Sequence, residues 1–263
     1  MKIKILEKFN ALVLSKKKFR NWYIFPLIYF KIYPRSIVKI YTKKGNIINL
    51  RTKSTDFFSF VNIWLFNEYG QNQIDFKSTD VIIDIGSHIG LFAIYISQFN
   101  KNGKILCYEP YDENYKILLE NIENNNFKNI FTFNKAVSKK NGEIFLYINK
   151  DTAANNIYDK SSNFIKVNST TLKEIIDSNH IEKCELLKLD CEGAEYEILM
   201  NLDPNIFKKI NNIIMECHFV ETEFIQFTNL KKFLIEMNYN VETRNIDSEL
   251  AILYCKKIGD KIF

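Results

Sequence analysis

From Asp80 to the C-terminus the sequence alternates short apolar, β-branched runs with stretches of helical spacing, and this rhythm constrains the fold more than any other feature. VIIDIG (81–86), KILCYEP (104–110), IFTFNKAV (130–137), CELLKLD (184–190) and NNIIMECH (211–218) read as strands. Their apolar residues are nearly continuous rather than alternating, as in parallel strands buried on both faces. Helices are expected over 89–98, over 112–125 with Asp112 as cap, over 172–177 capped by Ser169, Thr170 or Thr171, and over 194–202 and 223–237. GEIFLYIN (142–149) reads as an added strand, followed by a polar loop through Asn155 and Asn156. The last two runs, YNVETRN (239–245) and ELAILYCKK (249–257), are too close for a right-handed parallel crossover, so they pair antiparallel. The expected architecture is an α/β sheet, mostly parallel, ending in an antiparallel C-terminal hairpin.

The residues ahead of that sheet follow a different pattern. Positions 1–36 read as one or two short helices broken at Pro26 and Pro34. SIVKIYTKKGNIINLR (37–52) reads as a hairpin, and a helix over 57–69 ends at Gly70. This divides the chain into a small N-terminal helical and β-hairpin extension, 1–76, and a main domain, 77–263. With 46% hydrophobic and 25% charged residues, disorder and fibrous folds are excluded. The net charge of +5 is too small and scattered to imply a nucleic-acid partner. Much of the surplus gathers early, in Lys2, Lys4, Lys8, Lys16, Lys17, Lys18, Arg20, Lys31 and Arg35. NWYIFPLIYFKIYPR (21–35) therefore has two readings: a helical cap over one sheet face, or a peripheral contact with an anionic membrane surface. Five cysteines without a CxxC pair, and no secretory signal, point to a reduced, cytoplasmic location, with the inner membrane surface as the place of any peripheral contact.

The strongest local signal is Asp84-Ile85-Gly86-Ser87-His88-Ile89-Gly90, which ends a buried strand and opens a helix. Glycines let the backbone turn sharply there, and free N–H groups at a helix start favour an anionic group. Glu109 ends the next strand, placed to accept hydrogen bonds from ribose hydroxyls. Together these imply an adenosine-containing cofactor at the carboxyl edge of the sheet. A dinucleotide fingerprint would put glycines where Asp84 and Ser87 stand, so pyrophosphate fits poorly. S-adenosylmethionine, carrying an ammonium, a carboxylate and a sulfonium, fits an acid at the strand end, and the antiparallel final hairpin agrees with it.

VIIDIGSHIGLF, YEPYDENYKILLENI, NKAVSKKNGEIFLY, STTLKEII and LLKLDCEGAEYEIL, in this order, resemble the FkbM family of S-adenosylmethionine-dependent methyltransferases over roughly residues 37–256. The resemblance implies a Rossmann-like class I methyltransferase sheet and O-methylation of a hydroxyl on a sugar, glycoconjugate or secondary metabolite. It also implies that Asp84, Gly86, Ser87, His88 and Gly90 form the methionine-binding loop and that Glu109 holds the ribose. Pro110 would shape the following turn, Ala136 would lie near the adenine, and Glu68 with Tyr69 would match the cofactor lid. His88 departs from the small or amide residue expected at its place, and positions 1–36 lie outside the resemblance.

A second constellation, Asp190, Glu192 and Glu195 with Glu216 and His218, follows strands whose ends face the cofactor edge. Methyl transfer to an alcohol needs an oriented acceptor and a group that removes its proton. His218 is the candidate general base because histidine titrates near neutrality. Asp190 is the second candidate, and otherwise orients the acceptor or binds the cofactor's amino group. Nothing fixes an octahedral Mg²⁺ set, and no paired Cys or His suits zinc, so no metal is expected. The absence of an Asn/Asp-Pro-Pro-Tyr motif after the fourth strand argues against methylation of DNA bases. Two other readings compete: an NAD(P)-dependent sugar-modifying Rossmann enzyme, and a non-catalytic membrane-associated binding module.

Overall fold

Most of the β-branched runs after residue 80 join one sheet, because continuous apolar strands are stable only when both faces are covered. A computed structural model of the chain describes residues 5–70, 74–148, 163–191, 193–218, 224–245 and 250–259. Ahead of the sheet come α1 (Ile5–Lys18), a 3-10 turn (Trp22–Ile24), α2 (Phe25–Tyr29), the hairpin β1 (Ile37–Tyr41) and β2 (Ile47–Arg51), and α3 (Asp56–Trp64). The alternating region then runs β3 (Val81–Ile85), α4 (Leu91–Ser97), β4 (Lys104–Tyr108), α5 (Asp112–Glu123) and β5 (Ile130–Phe133). Three short strands follow, β6 (Ala136–Val137), β7 (Gly142–Tyr147) and β8 (Phe164–Thr170), and then α6 (Leu172–Ser178). The chain closes with β9 (Cys184–Leu189), α7 (Ala194–Met200), α8 (Pro204–Phe207), β10 (Ile210–His218), α9 (Phe224–Glu236), β11 (Tyr239–Asn245) and β12 (Leu250–Lys257).

The main sheet has seven strands in the order β11-β12-β10-β9-β3-β4-β5. Strands β10, β9, β3, β4 and β5 run parallel, and β12 runs antiparallel to both β10 and β11. This is the mostly parallel sheet with an antiparallel ending that the sequence predicts. Strand order reverses direction between β3 and β9, the switch point at which open α/β sheets bind ligands. Successive residues of each strand serve opposite cores. Ile82, Ile105, Leu186 and Ile214 join α3, α4, α5 and the N-terminal elements on one face. Ile83, Leu106, Leu187 and Met215 join α6, α7 and α9 on the other.

On the first face the N-terminal elements are anchored by aromatic packing. Phe60 of α3 lies 5.0 Å from Phe19, 6.0 Å from Phe25 and 5.7 Å from Trp64, ring centre to ring centre. Lys18 donates to the Trp64 carbonyl, which ties the end of α1 to the end of α3. On the outward side Tyr23, Leu27, Phe30 and Ile32 remain exposed. Among the described residues no helix is long and apolar enough to cross a membrane.

Several boundaries differ from the sequence reading, each for a local reason. IFTFNKAV is two strands in two sheets: β5 belongs to the main sheet and β6 to a small sheet of order β6-β8-β7. The break falls at Asn134, whose amide donates to the carbonyls of Glu109 and Pro110 and so turns the chain over the end of β4. Strand β8 was hidden beside the cap of α6; of the three candidate caps it is Thr171 that accepts the Glu174 N–H, while Ser169 and Thr170 lie in β8. The helix expected over 57–69 stops at Trp64, and Asn67 then takes a left-handed turn at φ 54°. Asp112 is not the cap but the first helical residue of α5, where its charge favours the helix dipole. Pro26 does not break a helix; it lies in the first turn of α2, where a missing N–H costs nothing. The polar loop through Asn155 and Asn156 lies outside the described residues.

Candidate active site

The carboxyl ends of β3, β4, β9 and β10 lie along one edge of the sheet, and they surround a cavity of about 240 Å³. Its floor is set by a charge pair between the two central strands. Asp84 and Lys188 are paired residues in the β3–β9 register, and both are buried. Lys188 Nζ lies 3.2 Å from Asp84 Oδ1 and 3.4 Å from Asp190 Oδ2, and it donates to the Gly86 carbonyl at 3.0 Å. Burial pulls the Lys188 pKa down, but Asp84 and Asp190 beside it more than reverse this, so the side chain stays cationic. The rings of Tyr69 and Phe92 lie 5.3 and 6.0 Å from the ammonium and cover it.

The turn after β3 passes very close to the end of β9. A Cβ on Gly86 would stand 1.7 Å from the Asp190 carbonyl oxygen, and Gly86 has φ 73°, so only glycine fits there. The Asp190 N–H donates to the Ile85 carbonyl at 3.0 Å. These contacts hold Asp190 at the cavity wall. Its carboxylate accepts the Tyr69 hydroxyl at 2.7 Å, and the same hydroxyl lies 3.3 Å from Glu216 Oε2 on β10.

Glu109, at the end of β4, is organised by three donors. The His88 N–H reaches Oε2 at 2.9 Å, while the Tyr111 N–H at 3.0 Å and the Asn114 amide at 3.2 Å reach Oε1. Burial nonetheless raises the Glu109 carboxyl to about 7. Glu68, before the sheet, accepts the Asn62 amide at 2.8 Å; burial first, and then the nearby Asp190 charge, raises it to about 7 as well. Glu68, Glu109, Asp190 and Glu216 thus bring four carboxyl groups to one cavity whose wall contains a single lysine among the described residues.

Most of the residues singled out in the sequence line this cavity: Glu68, Gly86, Ser87, His88, Glu109, Pro110, Ala136 and Asp190. Asp84 lies beneath the wall, facing Lys188, and Gly90 lies behind it, its Cα packed on Leu118. The N–H groups of Gly86 and Ser87 donate to the Tyr108 carbonyl and that of His88 to Glu109, so these three donors of the turn are engaged within the protein. Glu195 turns away from the cavity: its carboxylate accepts the N–H groups of Cys191 and Gly193 and shapes the turn after β9. The main chain of His218 ends β10 opposite Leu250, a cavity residue; its side chain and Glu192 lie outside the described residues. Among the described residues no three His, Cys, Asp or Glu side chains converge as a metal site.

Sequence reasoning passed over Lys188, Tyr69's bond to Asp190, and a set of polar residues around His88. Lys188 had a signal: a lysine inside the buried run CELLKLD needs a partner, and Asp84 inside VIIDIG is the complementary anomaly. Arg51 had none, because its contacts to His88 and Asn114 span 37 and 63 residues.

Residues 84–250 match the family model of the methyltransferase FkbM domain. The chain is 22% identical over 190 residues to methyltransferase sdnD of Sordaria araneosa, covering 60% of this chain and 73% of that protein. It is 26% identical over 143 residues to the hexuronic acid methyltransferase AglP of Haloferax volcanii, covering 54% of this chain and 57% of that protein. Among solved structures, methyltransferase FkbM from Methylobacillus flagellatus aligns with a TM-score of 0.51 at 16% identity, over 76% of this chain and 53% of that chain, a likeness of fold.

The two raised carboxyls make a stability prediction. Folded Glu68 and Glu109 keep protons up to about pH 7, whereas the unfolded chain releases them near its ordinary value of 4.5. The folded state therefore binds more protons between these limits, and their contribution is present at low pH and lost as pH rises through about 7. Urea unfolding of the ligand-free protein should show Glu68→Gln and Glu109→Gln each flattening the decline in unfolding free energy between pH 5 and 8, by up to roughly 3 kcal/mol per group.

Proposed function

The chain belongs to the FkbM methyltransferase family, and on that premise we propose that it is an S-adenosylmethionine-dependent O-methyltransferase acting on a hydroxyl of a sugar, glycoconjugate or secondary metabolite. The observation that carries this reading is the concentration of Glu68, Glu109, Asp190 and Glu216 around one cavity at the switch point of the sheet. A site rich in carboxylates suits a cationic, adenosine-bearing ligand and opposes a pyrophosphate, which speaks against the nicotinamide alternative. The hydroxyl acceptor is supported by the relative named as a hexuronic acid methyltransferase.

The residues present fit this cofactor by the chemistry of their donor set. Glu109 is held by N–H donors from two directions, and a carboxylate keeps acceptor capacity beyond three bonds, which suits ribose hydroxyls. Pro110 and Ala136 supply an apolar wall for the adenine, and Gly86, Ser87 and His88 form the turn against the methionine portion. Asp84 and Gly90 act from behind that wall, Asp84 by fixing Lys188 and Gly90 by letting α4 pack on α5. Glu68 and Tyr69 close the cavity from the N-terminal side. The cofactor supplies a methyl group already activated by its sulfonium, so the protein has to orient the acceptor and take its proton.

His218 is the general base in this reading and Asp190 orients the acceptor or the cofactor's amino group. The division follows from what surrounds Asp190. Tyr69 donates to its carboxylate and Lys188 lies 3.4 Å from it, so its oxygens are already engaged as acceptors, which suits orienting a group better than removing a proton.

A second reading concerns location. Tyr23, Leu27, Phe30 and Ile32 are exposed around the exposed cations Lys31 and Arg35, which favours peripheral contact with an anionic membrane surface. Co-sedimentation with phosphatidylglycerol vesicles should fall on Phe30→Ser/Ile32→Ser replacement; unchanged partitioning would exclude this contact.

Calorimetry with S-adenosylmethionine tests the main reading. Wild-type protein should bind it, and His218→Ala should keep that binding while losing at least 10²-fold in methyl transfer to a responsive glycan acceptor. Absence of binding by folded wild-type protein would refute the enzyme assignment, and full turnover in His218→Ala would remove the base.

A further inference from the structure

Arg51 ends β2 of the N-terminal hairpin, outside the matched family region and outside the cavity wall, yet its guanidinium stands at the centre of a polar cluster. Asp56, at the start of α3 and fully buried, grips it twice: Nε lies 3.0 Å from Oδ2 and Nη2 lies 2.8 Å from Oδ1. The Arg51 N–H also donates to Asp56 Oδ2, at 2.9 Å, so backbone and fork are fixed together. Nη2 also lies within reach of two further acceptors, Asn114 Oδ1 at 2.8 Å and His88 Nε2 at 3.0 Å, its two hydrogens being shared among these and Asp56 Oδ1.

Both of those residues hold Glu109. Because Arg51 takes the amide oxygen of Asn114, the amide nitrogen is turned to Glu109 Oε1. Because Arg51 donates to the His88 ring, that side chain is anchored, while the main-chain N–H of His88 donates to Glu109 Oε2. His88 holds a left-handed backbone at φ 50°, an unfavourable conformation for a non-glycine residue that needs such an anchor. Burial keeps the imidazole neutral, which leaves Nε2 free to accept from the guanidinium.

We propose that Arg51 is a positioning residue for the cofactor site, setting through Asn114 and His88 the orientation in which Glu109 receives the ribose hydroxyls. The inference rests on the reading of Glu109 given above. It makes the N-terminal hairpin a working part of the site rather than only a cover for the sheet. It also accounts for the histidine at position 88, where the family resemblance suggests a smaller or amide side chain: the ring gives the distant guanidinium a handle on the loop.

Calorimetric titration with S-adenosylhomocysteine and with its 2′,3′-dideoxyribose analogue tests this. Wild type should prefer the natural ligand, and Glu109→Gln should lose most of that preference. Arg51→Met should weaken S-adenosylhomocysteine on the order of tenfold, the scale of one charge-assisted hydrogen bond, and should shrink the ratio between the two ligands. The double variant Arg51→Met/Glu109→Gln should bind no more than about twofold worse than Glu109→Gln alone, since both changes act through one carboxylate. A preserved ratio in Arg51→Met, or losses that multiply in the double variant, would overturn the proposal, because a general loosening weakens both ligands alike. If Arg51→Met does not fold, Arg51→Lys, which keeps the charge beside Asp56 but cannot reach Asp56, Asn114 and His88 together, reads the same ratio: shrinkage supports the proposal and preservation overturns it. Failure of wild type to bind, or an unaltered ratio in Glu109→Gln, would instead remove the reading of Glu109 and the inference with it.

Discussion

Two opposite charges face each other between the central strands of this protein, and the rest of the site depends on them. Asp84 and Lys188 are paired in register on adjacent parallel strands and are shielded from water. Burying such a pair costs desolvation energy, and a well-packed apolar substitute is often as stable, so its value lies elsewhere. A strand slipped by one residue would turn Lys188 to the opposite face and leave two uncompensated charges in the cores. The pair therefore fixes how β9 lies against β3. That alignment brings Gly86 against the Asp190 carbonyl and sets Asp190, through Lys188 and Tyr69, at the cavity wall.

From this alignment the electrostatics of the cavity follow. Strand ends in a parallel sheet converge on one edge, and here those ends carry Glu109, Asp190 and Glu216, joined by Glu68 from the segment before the sheet. Lys188 offsets part of this charge from below, and burial together with mutual repulsion keeps Glu68 partly protonated near neutrality. A cationic ligand entering the cavity relieves that repulsion. The basic surplus of the chain lies elsewhere, on the N-terminal elements, whose aromatic residues cover the sheet and whose Arg51 reaches inward to the loop after β3.

Features that depend on neighbours in sequence were legible before the structure. Strands β3, β4, β9 and β10 stand where their apolar runs predict, and the short interval before β12 forces its antiparallel pairing. The loop Gly86–Gly90 and the acid Glu109 were legible for the same reason, since both lie at ends of recognisable strands. What escaped depends on distance. A chain that leaves one sheet and enters another at Asn134 keeps its apolar character throughout, so periodicity cannot mark the break. Arg51 looks like an ordinary polar strand end until α3, α5 and the loop after β3 fold around it. Lys188 lies between these cases: its oddity in an apolar run was visible, but its partner is identified only by the pairing of two strands more than a hundred positions apart.

On the proposed reading, an adenosine-bearing methyl donor lies across the carboxyl ends of β3 and β4 with its ribose on Glu109. A crystal structure with S-adenosylhomocysteine bound tests it most directly. Its ribose hydroxyls should lie within hydrogen-bond distance of Glu109, its adenine against Pro110 and Ala136, and its thioether facing Asp190 and Glu216. A ligand seated elsewhere, or a ribose that leaves Glu109 untouched, would contradict it.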